Sequence, residues 1–244
     1  MDFKKLAGFF RSPPPILVIH IMKTAGTSFR KMLQEDIGCQ NVFPSDKHLE
    51  ELPNGWYMYP DKILETYPSL PNHKVLIGHF PAAILERLPR VYTSAVFLRD
   101  PLQRSLSLIQ FYSNQYGISI QELMQNDDFI NKYIKDYQTK ILGMTDVVDP
   151  NIILNIDDAV LKRALERVEG FDFVGITEKF EDSCKLFDKL YNTRTARFLK
   201  KTNISRPEGN ELMEFADFIR PLINKDEIVY RSACERLQKQ VNYR

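Results

Sequence analysis

The stretch Pro15-Ile-Leu-Val-Ile-His-Ile-Met-Lys-Thr-Ala-Gly-Thr-Ser-Phe-Arg-Lys-Met-Leu33 reads as strand, tight loop and helix. Ile16 to Ile19 is an unbroken apolar run after three prolines. Such a run suits a strand buried on both faces of a parallel sheet. Met22 to Gly26 is short enough only for a loop. Thr27 then opens a helix with Phe29, Met32, Leu33 and Ile37 on one stripe. Amide groups at a helix start lack partners, and the helix dipole favours negative charge there. Thr24, Thr27 and Ser28 add hydroxyls, Gly26 permits close approach to the backbone, and Lys23 adds a cation. The segment suits a phosphate.

The Walker pattern G-x-x-x-x-G-K-[ST] is absent, because the lysine precedes the glycine and the loop is shorter. One reading is a plain βα turn with an incidental lysine. The other is a resemblance. Lys23-Thr-Ala-Gly-Thr-Ser-Phe29 resembles the 5′-phosphosulfate loop of sulfotransferases, in the form found in the carbohydrate-type family related to heparan sulfate 2-O-sulfotransferases.

Two further motifs extend that resemblance. Thr93 to Leu98 reads as a strand running into Arg99-Asp-Pro-Leu-Gln-Arg-Ser-Leu-Ser107. Asp100 is suited to an N-cap and Pro101 to the first helical position. Leu102, Leu106 and Ile109 form the inward stripe, and Arg104 and Ser107 lie about 60° apart on another face. Arginines with a hydroxyl suit a phosphate. R-D-P-x-x-R-x-x-S resembles the motif that holds the 3′-phosphate of 3′-phosphoadenosine 5′-phosphosulfate (PAPS), with Arg99 and Ser107 on its two contacting positions. Between the motifs, Lys74 to His79 reads as a strand ending in Gly78-His79-Phe80-Pro81. A polar residue at such a strand end faces the crevice where parallel sheets bind ligands. The resemblance makes His79 the catalytic histidine. His20, His48 and His73 receive no role, except that His20 is the first substitute should His79 prove structural.

Composition limits the alternatives. The chain has 244 residues, enough for a single domain with helical appendages. A net charge of +1 implies no general affinity for nucleic acid. Residues 1–11 lack the apolar core of a signal peptide, and no apolar run approaches the roughly 20 residues of a membrane span. Cys39, Cys184 and Cys234 have no metal-ligand spacing and form no disulfide framework, so a reducing, cytoplasmic setting is expected. Cys184 falls on an apolar stripe and reads as a buried thiol.

The remainder of the chain reads as follows. Gly38 to Leu70 is irregular, with Trp56, Tyr57 and Tyr59 either pinning a covering loop or walling a pocket. Residues 117–170 are mostly helical. In relatives such an insert shapes the acceptor cleft. Within it Asp157 to Val168 is amphipathic and ends at Gly170, a C′ glycine. Phe171 to Ile176 is a strand, and Thr177 either begins the next helix or contacts an adenine edge. Lys201, Asn203 and Arg206 lie in a basic loop that is either solvated or closes over the cofactor. Helices near 209–219 and 224–240 end the chain, the last with Ile228, Cys234 and Leu237 inward.

The strands imply an α/β fold, a parallel sheet between helical layers. The resemblance covers about residues 15–207, and it implies a P-loop-like sulfotransferase fold and a sulfuryl transfer from PAPS. The transition state of such a transfer is loose, so positioning and charge stabilisation dominate. Lys23 would stabilise the leaving 3′,5′-diphosphoadenosine. Ala25 to Ser28 amides and the Thr24, Thr27 and Ser28 hydroxyls would hold the 5′-phosphate. His79, with an ordinary pKa of about 6.5, would deprotonate the acceptor. No metal is implied. The acceptor would be a carbohydrate or glycolipid hydroxyl, with a tyrosine-containing peptide or small molecule as alternatives and a nucleotide kinase as the remoter one.

Overall fold

The structure is a computed structural model that describes residues 13–53, 55, 57–66, 70–88, 91–199 and 214–242. Lys201, Asn203, Arg206 and Trp56 lie outside these residues, as do residues 209–213 of the segment read as a helix near 209–219.

Among the described residues, five parallel strands form one sheet in the order β2-β3-β1-β4-β5. They are β1 (Ile16–Ile19), β2 (Val42–Phe43), β3 (Val75–Gly78), β4 (Thr93–Leu98) and β5 (Phe173–Ile176). β1 is central, with Ile19 level with Gly78 on one side and Val96 on the other. All four residues of β1 are buried, as a strand covered on both faces requires. Chain order reverses between β1 and β4, because the connection from β1 leads to β2 while that from β4 leads to β5 on the opposite edge. Crevices of this kind, at the carboxyl ends of parallel strands, are where α/β sheets bind ligands.

Helices flank the sheet. α1 (Gly26–Ile37) and α9 (Phe180–Tyr191) meet one face. There Phe29 packs on Phe97 at 4.7 Å and on Phe187 at 4.9 Å, and Phe173 on Phe187 at 5.2 Å. α7 (Tyr137–Gly143), α8 (Asp158–Gly170) and the C-terminal helix (Asn224–Asn242) add Ala164, Val168, Val229, Ala233 and Leu237 to the same core. A second apolar cluster joins α4 (Pro101–Tyr116) to α5 (Ile120–Gln125), residues 129–134 and the short helix Ala216–Ile219.

Several sequence expectations change. The segment read as irregular contains β2, α2 (Asp46–Glu51) and α3 (Pro60–Thr66). α1 begins one residue early, at Gly26. Gly170 is the last residue of α8, with Phe171 at the C-cap, so it is no C′ glycine. On the C-terminal helix Ile228 is exposed and Val229 takes the inward place. Cys184 is fully buried, and burial pushes its thiol up to about 12.

The C-terminal helix is tied to α7 by an exchange of carboxylates. Asp136 accepts from the amides of Lys225 and Asp226, at 2.8 and 3.1 Å. Asp226 accepts from the amides of Gln138 and Thr139 and from the Thr139 hydroxyl. Each acidic side chain satisfies the orphan amides at the other helix's start. No helix among the described residues is long and apolar enough to cross a membrane.

Candidate active site

The loop after β1 has an unusual backbone. Lys23 has φ 69° and Ala25 has φ 68°, both left-handed without being glycine. Such residues cost about 1–2 kcal/mol each, so neighbours must hold them. The holding bonds are present. The Thr24 hydroxyl donates to the Ile21 carbonyl at 2.9 Å. Arg104 Nε donates to the Met22 carbonyl at 3.2 Å, and Arg99 Nη1 donates to the Lys23 carbonyl at 3.1 Å. Left-handed residues alternating with others turn successive amides into one concavity, which attracts anions. Ala25 at the N-cap supplies no side-chain acceptor, and the first turn of α1 holds no acidic residue. The helix N-terminus thus has no side-chain cap or acidic residue of its own, the condition under which such an end can take an anion.

Within that loop the hydroxyls separate. Thr27 is exposed and Ser28 half-buried, both at the helix start. Thr24 is fully buried, and its hydroxyl is committed to Ile21. From there it shapes the loop.

β4 and α4 bring up the second motif. Asp100 caps α4 by accepting from the Gln103 amide at 2.8 Å, with Pro101 at the first helical position. Arg99 and Ser107 are both buried at 5% exposure, at the β4 end and on α4. The Glu178 carboxylate faces Arg99 Nε at 3.8 Å, accepts from the Asp100 amide, and accepts from the Tyr230 hydroxyl at 2.8 Å. Arg104 turns fully inward. Besides Met22 it donates to the Tyr133 carbonyl, and its guanidinium lies 4.1 Å from the Tyr137 ring centroid. Burial pushes it down to about 10. Its reading as an anion fork gives way to that of a loop anchor. Thr177 is also buried and donates to the Leu98 carbonyl at 3.0 Å. It opens the turn Thr177–Lys179.

The end of β3 carries His79 to the end of β1. Its Nδ1 donates to the His20 carbonyl at 2.6 Å, since a carbonyl can only accept. That bond assigns the proton to Nδ1 and leaves the Nε2 lone pair as the basic site. The ring stacks on His20 at 4.1 Å. His20 Nδ1 meets the Tyr57 hydroxyl at 2.5 Å, and the Tyr57 ring stands edge-on to His79 at 4.7 Å. The Tyr57 carbonyl also accepts from the His79 amide at 2.7 Å. Burial lowers His79 to about 4, against a small opposing effect of its bond to His20. The expected value of about 6.5 is thus displaced. Burial holds His20 well below the ordinary range, and the charges at His79, Arg30 and Lys23 add to this. Gly26 makes room for the stack, because a Cβ there would lie 1.9 Å from His20 Cδ2.

Lys23 extends its ammonium over the Phe111 ring, 4.6 Å from the centroid. Burial, then Arg99 and Arg104, lowers its pKa. The fold thus brings together Lys23, Ala25, Gly26, Thr27, Ser28, His79, Arg99 and Ser107 at one end of the sheet. Sequence reasoning missed Glu178, Phe111 and the role of Tyr57 beside His20. The aromatic run at Trp56–Tyr59 was the one available signal, and it was compatible with a covering loop. Among the described residues, no group of three or more His, Cys, Asp or Glu side chains is arranged to hold a metal. In comparisons with known proteins, no family model matches the chain and no curated protein matches it.

Proposed function

We propose that the chain is a PAPS-dependent sulfotransferase of the carbohydrate type, acting in a reducing, cytoplasmic compartment. The observation that carries this reading is the pinned left-handed loop beside an imidazole whose Nδ1 is already protonated. An anion seat alone would suit many nucleotides. An anion seat with a base at the next strand end suits group transfer to a hydroxyl.

PAPS supplies the activated sulfuryl group. The concavity from Ala25 to Ser28 and the Thr27 and Ser28 hydroxyls hold its 5′ end, and Arg99 and Ser107 hold the 3′-phosphate. His79 Nε2 takes the proton of the acceptor hydroxyl as the new S–O bond forms. The bond from sulfur to the phosphate oxygen breaks, and its electron pair leaves with 3′,5′-diphosphoadenosine. Lys23 meets the charge growing on that oxygen, an interaction made only in the transition state.

The test is calorimetry with 3′,5′-diphosphoadenosine, ADP and ATP, followed by ³⁵S transfer from PAPS to a panel of acceptors. Diphosphoadenosine should bind at least tenfold tighter than ATP, a difference of about 1.4 kcal/mol or more. Tighter binding of ATP overturns the reading.

A further inference from the structure

We infer that the outer face of α4, built on Phe111, Asn114 and Gln115, is the acceptor subsite and takes a neutral carbohydrate. This rests on the sulfotransferase reading and adds the acceptor's chemistry to it.

The face begins at the site itself. At about 100° per residue, Ser107, Phe111 and Asn114 fall within about 60° of one another, so they form one line along α4. The line starts at the buried Ser107, passes Phe111 at the Lys23 ammonium and continues to the exposed Asn114. Whatever accepts the sulfuryl group beside Lys23 lies against this line.

Its chemistry is specific. Phe111 is 43% exposed although it is a large apolar ring. Asn114 and Gln115 are exposed with it. Gln110 donates to the Asn114 carboxamide at 2.9 Å and orients it. Tyr112 backs the face, packed on Phe129 at 5.1 Å and on Tyr133 and Tyr116 at 5.3 Å. From Pro101 to Tyr116 the only charged side chain is Arg104, and it is fully buried.

A face of one aromatic ring and two carboxamides, on a helix that exposes no charged side chain of its own, fits one acceptor class best. The negative face of an aromatic ring attracts the C–H edge of a sugar ring. Each carboxamide offers two donors and one acceptor oxygen, enough for several hydroxyls at once. A polyanionic glycan would need arginines or lysines along this line beyond Lys23, and α4 exposes none. A phenolic side chain would use the ring but leave the carboxamides largely unused.

The experiment first measures diphosphoadenosine binding by calorimetry in the full chain and in Phe111→Leu, Asn114→Ala and Gln115→Ala. Absence of binding in the unsubstituted chain overturns the sulfotransferase reading and this inference with it. With binding present, ³⁵S transfer is measured to N-acetyllactosamine and maltotriose, to a heparan-type hexasaccharide, and to a tyrosine-containing peptide. We expect transfer to a neutral sugar, with acceptor KM raised about tenfold in Phe111→Leu and Asn114→Ala and diphosphoadenosine affinity within twofold. Preference for the anionic hexasaccharide or the peptide overturns the inference, as does an unchanged acceptor KM in all three variants. Those outcomes leave the sulfotransferase reading standing.

Discussion

Arg99 Nη1 bonds directly to the Lys23 carbonyl at 3.1 Å, across 76 positions of sequence. The two motifs are therefore joined by a hydrogen bond before any ligand arrives. Arg104 makes a second bond to the same loop, at Met22, from full burial. The two arginines should separate experimentally. Arg99→Ala should weaken diphosphoadenosine binding by about 1.5–3 kcal/mol, the size of a lost charge-assisted bond. Arg104→Met keeps volume but strands the Met22 and Tyr133 carbonyls, and should lower stability in urea by about 2–4 kcal/mol. Equal effects of both variants on stability alone would refute the division.

Lys23→Ala should lower turnover more than donor affinity. In the proposed transfer its ammonium meets a charge that grows only as the leaving group departs, so the loss would appear in kcat. A raised KM for PAPS at unchanged kcat would make Lys23 a binding residue only.

The pH profile tests His79. Burial lowers its pKa to about 4, so the imidazole is neutral and basic through the whole physiological range. Activity should stay level down to about pH 5 and fall only as pH drops through about 4. His79→Asn should keep diphosphoadenosine affinity, reduce kcat by about 10²-fold or more, and lose that acidic limb. A midpoint near 6.5 would mean the imidazole is hydrated during turnover.

Gly26→Ala places a methyl group 1.9 Å from His20 Cδ2. The His20 ring has to move, and it is the surface on which His79 stacks. We expect a loss of about 1–3 kcal/mol in stability, as for other overpacked sites, together with reduced kcat. Wild-type turnover in this variant would show that the stack is dispensable.

Asp226 predicts a pH dependence of the fold. Burial first, and then Asp136, raise its carboxyl to about 7. A raised carboxyl favours the protonated form in the folded state. Its contribution is complete below about pH 4 and is lost as pH rises through about 7. Urea melts at pH 5 and pH 8 should show a fall in stability that Asp226→Asn does not share. The variant should itself lose about 1 kcal/mol from the weakened helix cap. Equal pH differences in both proteins would show Asp226 already ionised at pH 5.

Four strands were legible because each is a short apolar run ending in polar residues, as at Ile16–Ile19 and Thr93–Leu98. β2 was not, because two residues, Val42 and Phe43, carry no periodicity. The motif residues were legible as types at positions. Their directions were not, since helical angles do not say which backbone carbonyl a side chain turns to meet. Arg104 and Thr177 turn inward because backbone carbonyls at Met22, Tyr133 and Leu98 await donors there. Tyr57 and Glu178 come from segments remote in sequence, so only the fold could bring them to His20 and Arg99.

The fully buried guanidinium of Arg104 grips Met22 in one loop and Tyr133 in the 117–170 insert. One side chain is thus a tie rod between the loop proposed to seat the donor and the 117–170 segment. Neither can drift without dragging the other, so the width of the gap between them is set from behind. Changes in the insert around Tyr133 would then register at the Met22–Ala25 turn, through a residue that touches no substrate.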